Sequence, residues 1–314
     1  MKIGIDLGGS HIAVGVVNDE AKLIAKEEEN VLFVDKEQEE IKEIVRDRIL
    51  SLINSLKRKL QIPAFIINEI GIGIPGIVEN NIIKKCDKYG IYNWDLAKEL
   101  KEQIDVNVKL TNDAIAEARA EVACGSLKTT AKGVFMCIGT GIGGAIVLQK
   151  GSAITANSNV QNLLDVSTVY EILPSEFGHM VIEKNGKKCY CGRRGCFETC
   201  CSMRTFKNGM IQLLGLSKNT TSEQLHEILK KDITDERLNM YIDDYIENLA
   251  LGICNIINIV NPQKICIGGS FTFFEDVFCN RLISKIQACN LQYEMPEIAL
   301  AMLKNDAGII GAVL

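Results

Sequence analysis

Residues 179–198 contain the stretch that says most about the fold: His179-Met-Val-Ile-Glu-Lys-Asn-Gly-Lys-Lys-Cys189-Tyr-Cys191-Gly-Arg-Arg-Gly195-Cys196-Phe-Glu198. Three thiols lie within eight residues, and the glycines between them allow the backbone to turn tightly. Together with the His179 imidazole they predict a tetrahedral Cys3His zinc site. Four protein ligands leave no position for water, so this metal is expected to be structural and to fix the loops that carry Glu176 and Glu198.

Most of the other thiols in this chain of 12 cysteines need no special explanation. A free thiol in an apolar segment acts as a small hydrophobe, and that describes Cys124, Cys137, Cys254, Cys266, Cys279 and Cys289. Coincidental core cysteines or a redox pair therefore remain alternatives to zinc. No secretory signal follows Met1, so we expect reduced thiols and a cytoplasmic protein.

Length and composition limit the class of protein. A chain of 314 residues with 47% hydrophobic content can bury a large core and is expected to divide into two lobes. The net charge of -5 gives no electrostatic reason to expect a nucleic-acid partner. No uninterrupted apolar run approaches the length of about 18 residues that spans a bilayer, so no membrane partner is expected.

The hydrophobic pattern predicts an α/β fold that is built twice. Apolar residues recur at helical spacing from Ile41 to Leu60, which predicts a long amphipathic helix that closes before Pro63. Further helices are predicted at 112–126 and 240–260. Strands are predicted at 2–6, 11–17, 22–28, 69–74, 134–138, 145–148, 264–267 and 298–302.

Three glycine-rich turns follow predicted strands: Asp6-Leu-Gly8-Gly9-Ser10, Gly139-Thr140-Gly141-Ile-Gly143-Gly144 and Gly268-Gly269-Ser270. Such turns expose backbone N–H groups to phosphate oxygens. A tight β-hairpin explains either of the first two by itself. None matches the lysine-bearing P-loop, which disfavours a Walker ATPase.

A fourth motif, Thr111-Asn112-Asp113-Ala114, lies where a predicted strand opens a helix. Asp and Asn favour helix N-caps, so taken alone Asp113 is most simply a capping carboxylate.

The order of these motifs over nearly the whole chain resembles the ROK family of sugar kinases and sugar-responsive repressors, in the actin-like ATPase superfamily. Besides the zinc stretch and the turns, the matching residues include Gly71-Ile-Gly73-Ile-Pro75-Gly76, Asn93-Trp94, Glu176-Phe-Gly178-His179 and Ala307-Gly308-Ile-Ile-Gly311-Ala312. The resemblance implies two ribonuclease-H-like lobes around a central cleft. We expect an N-terminal lobe at 1–111, joined by a C-terminal helix at about 304–314, and a C-terminal lobe at 112–303.

For catalysis, the resemblance implies that Asp113 is the general base toward a sugar hydroxyl in ATP-dependent phosphorylation. It assigns Asp6 to Mg²⁺ and a set of turn residues to ATP: Gly8, Gly9, Ser10, Gly139, Thr140, Gly141, Gly268 and Gly269. A carboxylate within hydrogen-bond reach of the hydroxyl can remove its proton as the oxygen attacks the γ-phosphate.

For the sugar, the resemblance implies binding by Gly76, Asn93, Asn112, Asp113, Glu176, His179 and Glu198. His179 can do this as a zinc ligand because its two ring nitrogens are distinct. His11, where the family often has lysine, and His226 receive no such role.

The chain also departs from the family pattern. Ser175 stands where a glycine usually precedes the sugar-binding glutamate, and Asn93-Trp94 lacks a short spacer. The segment 151–174 is longer than usual by roughly a dozen residues and contains a candidate short helix through Tyr170. This segment either rims the sugar pocket, supports an oligomer contact or is a surface excursion.

Two function classes follow from these observations. The first is an ATP-dependent hexose kinase, with glucose as the leading substrate and N-acetylmannosamine, N-acetylglucosamine, fructose or allose as alternatives. The second is a catalytically silent sugar-binding regulator. Family repressors carry a DNA-reading helical domain before the first glycine turn, whereas Asp6 is almost N-terminal here. The phosphoryl donor is left open, and the resemblance suggests a dimer or tetramer.

Overall fold

The computed structural model describes residues 1–8, 11–31, 36–61, 63, 66–150, 169–232 and 235–314. It divides into two compact units. Unit 1 comprises Met1–Thr129, Gln149–Pro174 and Asn305–Leu314, and unit 2 comprises Thr130–Leu148 and Ser175–Lys304. Unit 1 therefore extends past the expected boundary at residues 111 and 112.

Unit 1 is built on a five-stranded mixed sheet of β1 (Lys2–Leu7), β2 (His11–Val17), β3 (Leu23–Asn30), β4 (Glu69–Ile74) and β8 (Asn107–Asn112). These strands lie in the order β3-β2-β1-β4-β8. Strands β1, β4 and β8 run parallel, and β1–β2 and β2–β3 are antiparallel. A second sheet contains β5 (Ile77–Glu79), β6 (Ile82–Cys86) and β7 (Ile91–Trp94).

Helix α1 (Gln38–Leu60) confirms the helix predicted from apolar spacing. Its apolar stripe from Ile41 to Leu56 is buried in the same core as strands β1, β2 and β4. The helix ends at Gln61, which has a left-handed conformation (φ 52°) and donates its N–H to the last turn. Helices α2 (Leu96–Ile104) and α3 (Asp113–Cys124) precede and follow β8.

The chain closes unit 1 with a short helix from its far end. Within Ala307–Ala312, Gly311 lies so close to α3 that a Cβ there would stand 1.7 Å from the Ala116 carbonyl oxygen. At Gly71 of β4 a Cβ would stand 1.8 Å from the Ala312 carbonyl oxygen. The glycines therefore allow backbone-to-backbone packing that no side chain permits.

Unit 2 contains the strands β9 (Lys132–Ile138), β10 (Ile142–Gln149, with only its last residue assigned to unit 1), β12 (Lys264–Gly268) and β13 (Glu297–Leu300), in the order β10-β9-β12-β13. Strands β9 and β10 are antiparallel, and β12 is parallel to both of its neighbours. The helices are α4 (Phe197–Cys201), α5 (Met203–Leu214), α6 (Ser222–Asp232), α7 (Glu236–Val260) and α8 (Glu275–Ala288), and the terminal helix of unit 1 (Ala307–Ala312) is α9.

The core of unit 2 is aromatic at its centre. Phe206 of α5 is fully buried, with ring centroids 4.8 Å from Tyr245, 5.6 Å from Phe274 and 4.9 Å from Phe278. Such tilted and edge-on ring pairs add to the free energy of apolar burial. The two β-rich halves confirm the α/β prediction.

Strand β11 (Tyr170–Pro174) begins at Tyr170. Val169, just before it, is helical, and the rest of the short helix expected through Tyr170 falls on residues outside the described part of the chain. The Lys150 N–H donates to the Val169 carbonyl at 2.8 Å. Residues 151–168 lie outside the described part of the chain, so their three suggested roles stay open.

Candidate functional site

In unit 1, two carboxylates lie at the carboxyl edge of the parallel strands. Asp6 of β1 is in register with Gly73 of β4, and Gly73 is in register with Thr111 of β8. Asp6 is buried, with 8% of its surface exposed. Asp113 follows β8 directly and is the first residue of α3. This edge therefore brings together two acidic residues that are far apart in sequence.

Asp113 is not the residue that caps α3. The N-cap is Asn112, whose side-chain oxygen accepts the Ile115 N–H at 3.2 Å. The Asp113 Oδ1 accepts the N–H of Ala114 at 2.8 Å, within the first turn, where the helix dipole favours negative charge. The capping explanation that the sequence allowed for Asp113 therefore belongs to its neighbour.

A hydrogen bond joins Asn112 to Gly76, two of the predicted sugar-binding positions of unit 1. The Asn112 Nδ2 donates to the Gly76 carbonyl at 3.0 Å. Gly76 has φ +122°, a conformation that L side chains rarely adopt. Asn93, at φ 49°, is also left-handed and lies in β7 of the small sheet. The link between Asn112 and Gly76 holds β8 to the start of the small sheet.

The first glycine turn contains an ion pair that sequence reasoning did not identify. The His11 Nε2 lies 3.5 Å from the Asp6 Oδ2. This hydrogen bond raises the pKa of His11 against the opposing effect of burial. A Cβ on Gly8 would stand 2.1 Å from the His11 ring, so the ring packs directly on the turn. The predicted phosphate-binding residues Gly9 and Ser10 lie outside the described residues.

Tyr89 is a second residue of unit 1 that the sequence did not indicate. Its side chain is buried, and its hydroxyl donates a hydrogen bond to the Gly8 carbonyl. Burial raises its pKa above the usual range, and the nearby charges of Asp6 and Asp113 add to this. Tyr89 thus contacts the start of the turn that follows Asp6. A tyrosine 81 positions away from Gly8 carries no sequence signal of this contact.

In unit 2, the second glycine turn is tied to Glu198. The Ile142 N–H donates to the Glu198 Oε2 at 3.0 Å, and Glu198 is 5% exposed. A Cβ on Gly141 would stand 2.3 Å from the same oxygen. The Gly139 carbonyl accepts the Met203 N–H at 2.9 Å, and Thr140 between the two glycines is exposed. The turn therefore positions a buried carboxylate.

The third glycine turn lies against the end of β9 in the same unit. Gly268 ends β12 and Gly269 opens a 3-10 helix that runs to Phe274. Gly269 has φ +75°, and a Cβ there would stand 2.6 Å from the Ile138 carbonyl oxygen. The second and third turns therefore lie beside each other at the ends of the paired strands β9 and β12.

The predicted metal ligands converge. One ligand atom from each of His179, Cys189, Cys191 and Cys196 lies within 4.8 Å of all the others. The Cys191 and Cys196 sulfurs are 3.6 Å apart, and the Cys189 sulfur is 3.6 Å from the His179 Nδ1. Sulfur ligands of one tetrahedral zinc lie about 3.8 Å apart, given Zn–S bonds of about 2.3 Å. The four side chains therefore form a group that fits one tetrahedral ion.

The protonation of the thiols differs across this group. Burial raises the pKa of Cys189, and it raises that of Cys196 to about 12. Burial also opposes ionisation of Cys191, but backbone and side-chain hydrogen bonds from Arg193 lower its pKa to about 7. A thiolate is the form that binds a metal ion, so Cys191 is the thiol most ready to do so.

His179 presents its two nitrogens to different neighbours. Nδ1 faces the Cys189 sulfur, whereas Nε2 lies 3.8 Å from the Glu176 Oε2. Glu176 itself is largely exposed, and the Tyr190 ring lies edge-on to the imidazole at 5.1 Å. One nitrogen therefore faces the thiol cluster and the other faces a predicted sugar ligand.

No helix in the described part of the chain is both long enough and apolar enough to cross a bilayer.

The chain is similar to known proteins over nearly its whole length. A sequence model of the ROK family matches residues 2–162 and 171–314. The glucokinase of Thermotoga maritima is 29% identical, and the alignment covers 99% of this chain and 95% of that protein. The xylose repressor of Caldicellulosiruptor bescii is 26% identical, with coverage of 99% and 76%.

The fold is also similar to a solved structure. The crystal structure of a ROK family glucokinase from Streptomyces griseus in complex with glucose and AMPPNP superimposes with a TM-score of 0.76. The two sequences are 20% identical, and the match covers 99% of this chain and 97% of that one. At this identity the comparison shows the mixed α/β fold.

Proposed function

We propose that this chain, which belongs to the ROK family, transfers a phosphoryl group from ATP to a hydroxyl of a hexose. The observation that carries the proposal is the pair of carboxylates, Asp6 and Asp113, at the carboxyl edge of the parallel strands of unit 1. Glucose is the first substrate to test, because the similar proteins include glucokinases.

In this proposal Asp113 is the general base. Its place in the first turn of α3, directly after β8, fixes the carboxylate through the Ala114 N–H at the edge where the sugar hydroxyl is proposed to bind. Removal of the hydroxyl proton makes the oxygen a better nucleophile toward the γ-phosphate. Bound Mg·ATP supplies the phosphoryl group and the cation that neutralises its charge. Asp6 is the proposed ligand for this cation.

The glycine turns are the proposed phosphate-binding elements. Gly8, Gly9 and Ser10 in the first turn and Gly139, Thr140 and Gly141 in the second offer backbone N–H groups close to the ligand, because glycine has no Cβ to keep it away. Gly268 and Gly269 in the third turn are the proposed contacts for adenosine.

We assign recognition of the sugar hydroxyls to several polar groups, some buried and some exposed. Glu198 is held by the Ile142 N–H, and Asn112 is held by Gly76, so both present fixed polar groups. Preorganised groups of this kind lose little entropy when a ligand binds. The remaining proposed sugar ligands are Gly76, Asn93, Glu176 and His179.

The experiment that tests the proposal is a coupled assay of ADP release with Mg·ATP and a panel of hexoses and N-acetylhexosamines. We expect one sugar to give turnover that falls about 10²–10⁴-fold in Asp113→Asn, with sugar affinity largely retained. Asp105→Asn is the matched control, because Asp105 is exposed and lies in a left-handed conformation that asparagine also tolerates. Equal turnover of the two variants would remove Asp113 from the base role.

The alternative, a silent sugar-binding regulator, draws on the similarity to the xylose repressor. The same panel separates the two classes. Sugar binding detected by calorimetry without turnover of any sugar would replace the kinase proposal with the regulator.

We also propose that His179, Cys189, Cys191 and Cys196 hold one structural zinc ion. The donor set and its spacing support this, because three sulfurs and one imidazole are a set that zinc prefers. Such an ion closes the loop between Phe177 and Phe197 and thereby fixes Glu176 and Glu198 at its two ends. The ion contributes to folding and takes no part in phosphoryl transfer.

Metal analysis of the purified protein tests the zinc site. We expect about one zinc per chain in the wild type and far less in Cys191→Ser, which should also bind sugar more weakly because the loop loosens. Cys200→Ser is the control, since Cys200 lies beside the cluster but outside the convergent set. Zinc content and sugar affinity that stay unchanged in Cys191→Ser would refute the site.

A further inference from the structure

The first turn of helix α5 lies directly against the second glycine turn of unit 2. Gly139, where that turn begins, accepts two N–H groups through its carbonyl oxygen, from Met203 at 2.9 Å and from Arg204 at 3.4 Å. The cap residue Ser202 accepts the Thr205 N–H at 3.2 Å and so fixes where the helix begins. The positive end of the α5 dipole therefore lies at a turn that is proposed to bind phosphate.

The same turn is filled on one side and open on another. A Cβ built on Gly141 would stand 2.3 Å from the Glu198 Oε2, so that carboxylate occupies the space beside Gly141. A Cβ built on Gly139 would meet no atom of the described residues within 4 Å, and Thr140 between the two glycines is exposed. A ligand can therefore approach the turn at Gly139, the residue that α5 contacts.

Arg204 supplies a cation at this place. The residue is exposed, and its guanidinium forms no ion pair or hydrogen bond with the part of the chain that the structure describes. A guanidinium without a carboxylate partner keeps its N–H donors available for an anion. Arginine often binds phosphate through two parallel hydrogen bonds, which are roughly twice as strong as bonds between neutral groups.

The proposed donor site lacks such a charge. ATP carries several negative charges on its phosphates, and the residues assigned to them are glycines, Ser10 and Thr140, which offer only neutral N–H and O–H donors. Mg²⁺ neutralises part of the phosphate charge, and enzymes that transfer phosphoryl groups commonly add a lysine or an arginine. Arg204 is a cation that the structure anchors at one of the proposed phosphate turns.

We propose that Arg204 is a further binding residue for the phosphoryl donor and that its guanidinium pairs with the donor's phosphate groups. This inference rests on the proposed kinase function, in which the second glycine turn binds those phosphates. The backbone of Arg204 is anchored to Gly139, and its long side chain extends from that point toward the bound phosphates.

The test uses Arg204→Gln, which removes the charge and keeps a long polar side chain with a similar helix propensity. The matched control is Lys218→Gln, which removes the same charge from an exposed residue beyond the other end of α5. Calorimetry with the magnesium complex of AMPPNP, a nonhydrolysable ATP analogue, measures affinity without turnover. We expect Arg204→Gln to bind it about tenfold more weakly than the control does, the lower end for a hydrogen bond to a charged group because Arg204 is exposed.

Further measurements show which part of the donor the guanidinium meets. Adenosine, which has no phosphate, should bind equally to both variants. The difference in AMPPNP affinity should shrink in about 1 M salt, because ions screen exposed charges. In the coupled assay, Arg204→Gln should raise the KM for ATP by a similar factor and leave the KM for the sugar unchanged.

The outcomes separate this inference from the proposed function. If the wild type phosphorylates no sugar but binds AMPPNP more tightly than Arg204→Gln does, the kinase proposal fails and the role of Arg204 in donor binding stands. If the wild type phosphorylates a sugar and the two variants bind AMPPNP equally, only the role of Arg204 fails.

Two other results would also overturn the role of Arg204. One is that Arg204→Gln lowers the unfolding temperature and the affinity for adenosine along with that for AMPPNP, which indicates general loosening of unit 2. The other is that the wild type does not bind AMPPNP.

Discussion

The packing of α9 against β4 leads to a sharp prediction about stability. A Cβ on Gly71 would stand 1.8 Å from the Ala312 carbonyl oxygen, whereas ordinary contacts begin at 3.4 Å. The obstructing atom belongs to backbone, which cannot rotate away. Gly71→Ala therefore requires α9 to move away from β4 by roughly an ångström or more. Overpacking of a well-packed core costs about 1–3 kcal/mol, and a backbone clash belongs at the upper end of that range.

The same strand supplies the control. Gly73 lies two residues further along β4, on the same face, and a Cβ there would stand 3.4 Å from the Ala116 Cβ. Gly73→Ala should therefore change the free energy of unfolding by less than about 1 kcal/mol, with a gain available because alanine restricts the unfolded chain. The two variants differ in the space around the new methyl group and in little else.

The assay is urea unfolding followed by fluorescence of Trp94, which is the only tryptophan and is buried in unit 1. With a slope of about 2 kcal/mol per molar urea, a loss of about 3 kcal/mol lowers the midpoint by about 1.5 M. Gly73→Ala should leave the midpoint within about 0.5 M of the wild type. Equal midpoints for the two variants would refute the argument that close backbone packing of α9 holds unit 1 together.

Two further predictions follow from the site. Gly141→Ala should weaken sugar binding in calorimetry, because the added methyl group displaces the Glu198 carboxylate. Gly139→Ala is the control and should leave the affinity unchanged, because no atom lies within 4 Å of its added methyl group. Equal sugar affinities of the two variants would show that the second glycine turn does not position a sugar ligand. The hydrogen bond with Asp6 raises the pKa of His11 in the folded protein. The ion pair therefore stabilises the fold fully below the unfolded pKa of about 6.5, and this stabilisation is lost as pH rises through the higher folded pKa. His11→Gln should therefore lower the urea midpoint more at pH 5.5 than at pH 8.5, and the opposite order would contradict the assignment.

Local patterns predicted much of this structure. The stripe that forms α1 was readable because helical spacing places its apolar residues on one face. The metal ligands were readable because three of the four lie within eight residues and have chemistry that is uncommon elsewhere. Helices α3 and α7 were found within a few residues of their ends, which is where helix assignments are least certain.

Contacts between segments that are distant in sequence were harder to predict. The hydrogen bond from Tyr89 to Gly8 and that from Ile142 to Glu198 join residues 81 and 56 positions apart. Neither has a local sequence signal, because a buried donor can be satisfied by a carbonyl or carboxylate anywhere in the chain.

The position of α9 in the chain has a consequence for synthesis on the ribosome. Strands β1 and β4 and helix α3, which α9 covers, are complete by residue 124, but α9 begins only at Ala307. At about 5–20 residues per second, roughly 10–40 s of translation separates the two events. Throughout that interval the nascent unit 1 lacks the helix that closes it, while all of unit 2 emerges. The part of the protein that is synthesised first thus completes its fold last. We expect a nascent chain in this state to bind chaperones that cover apolar surface.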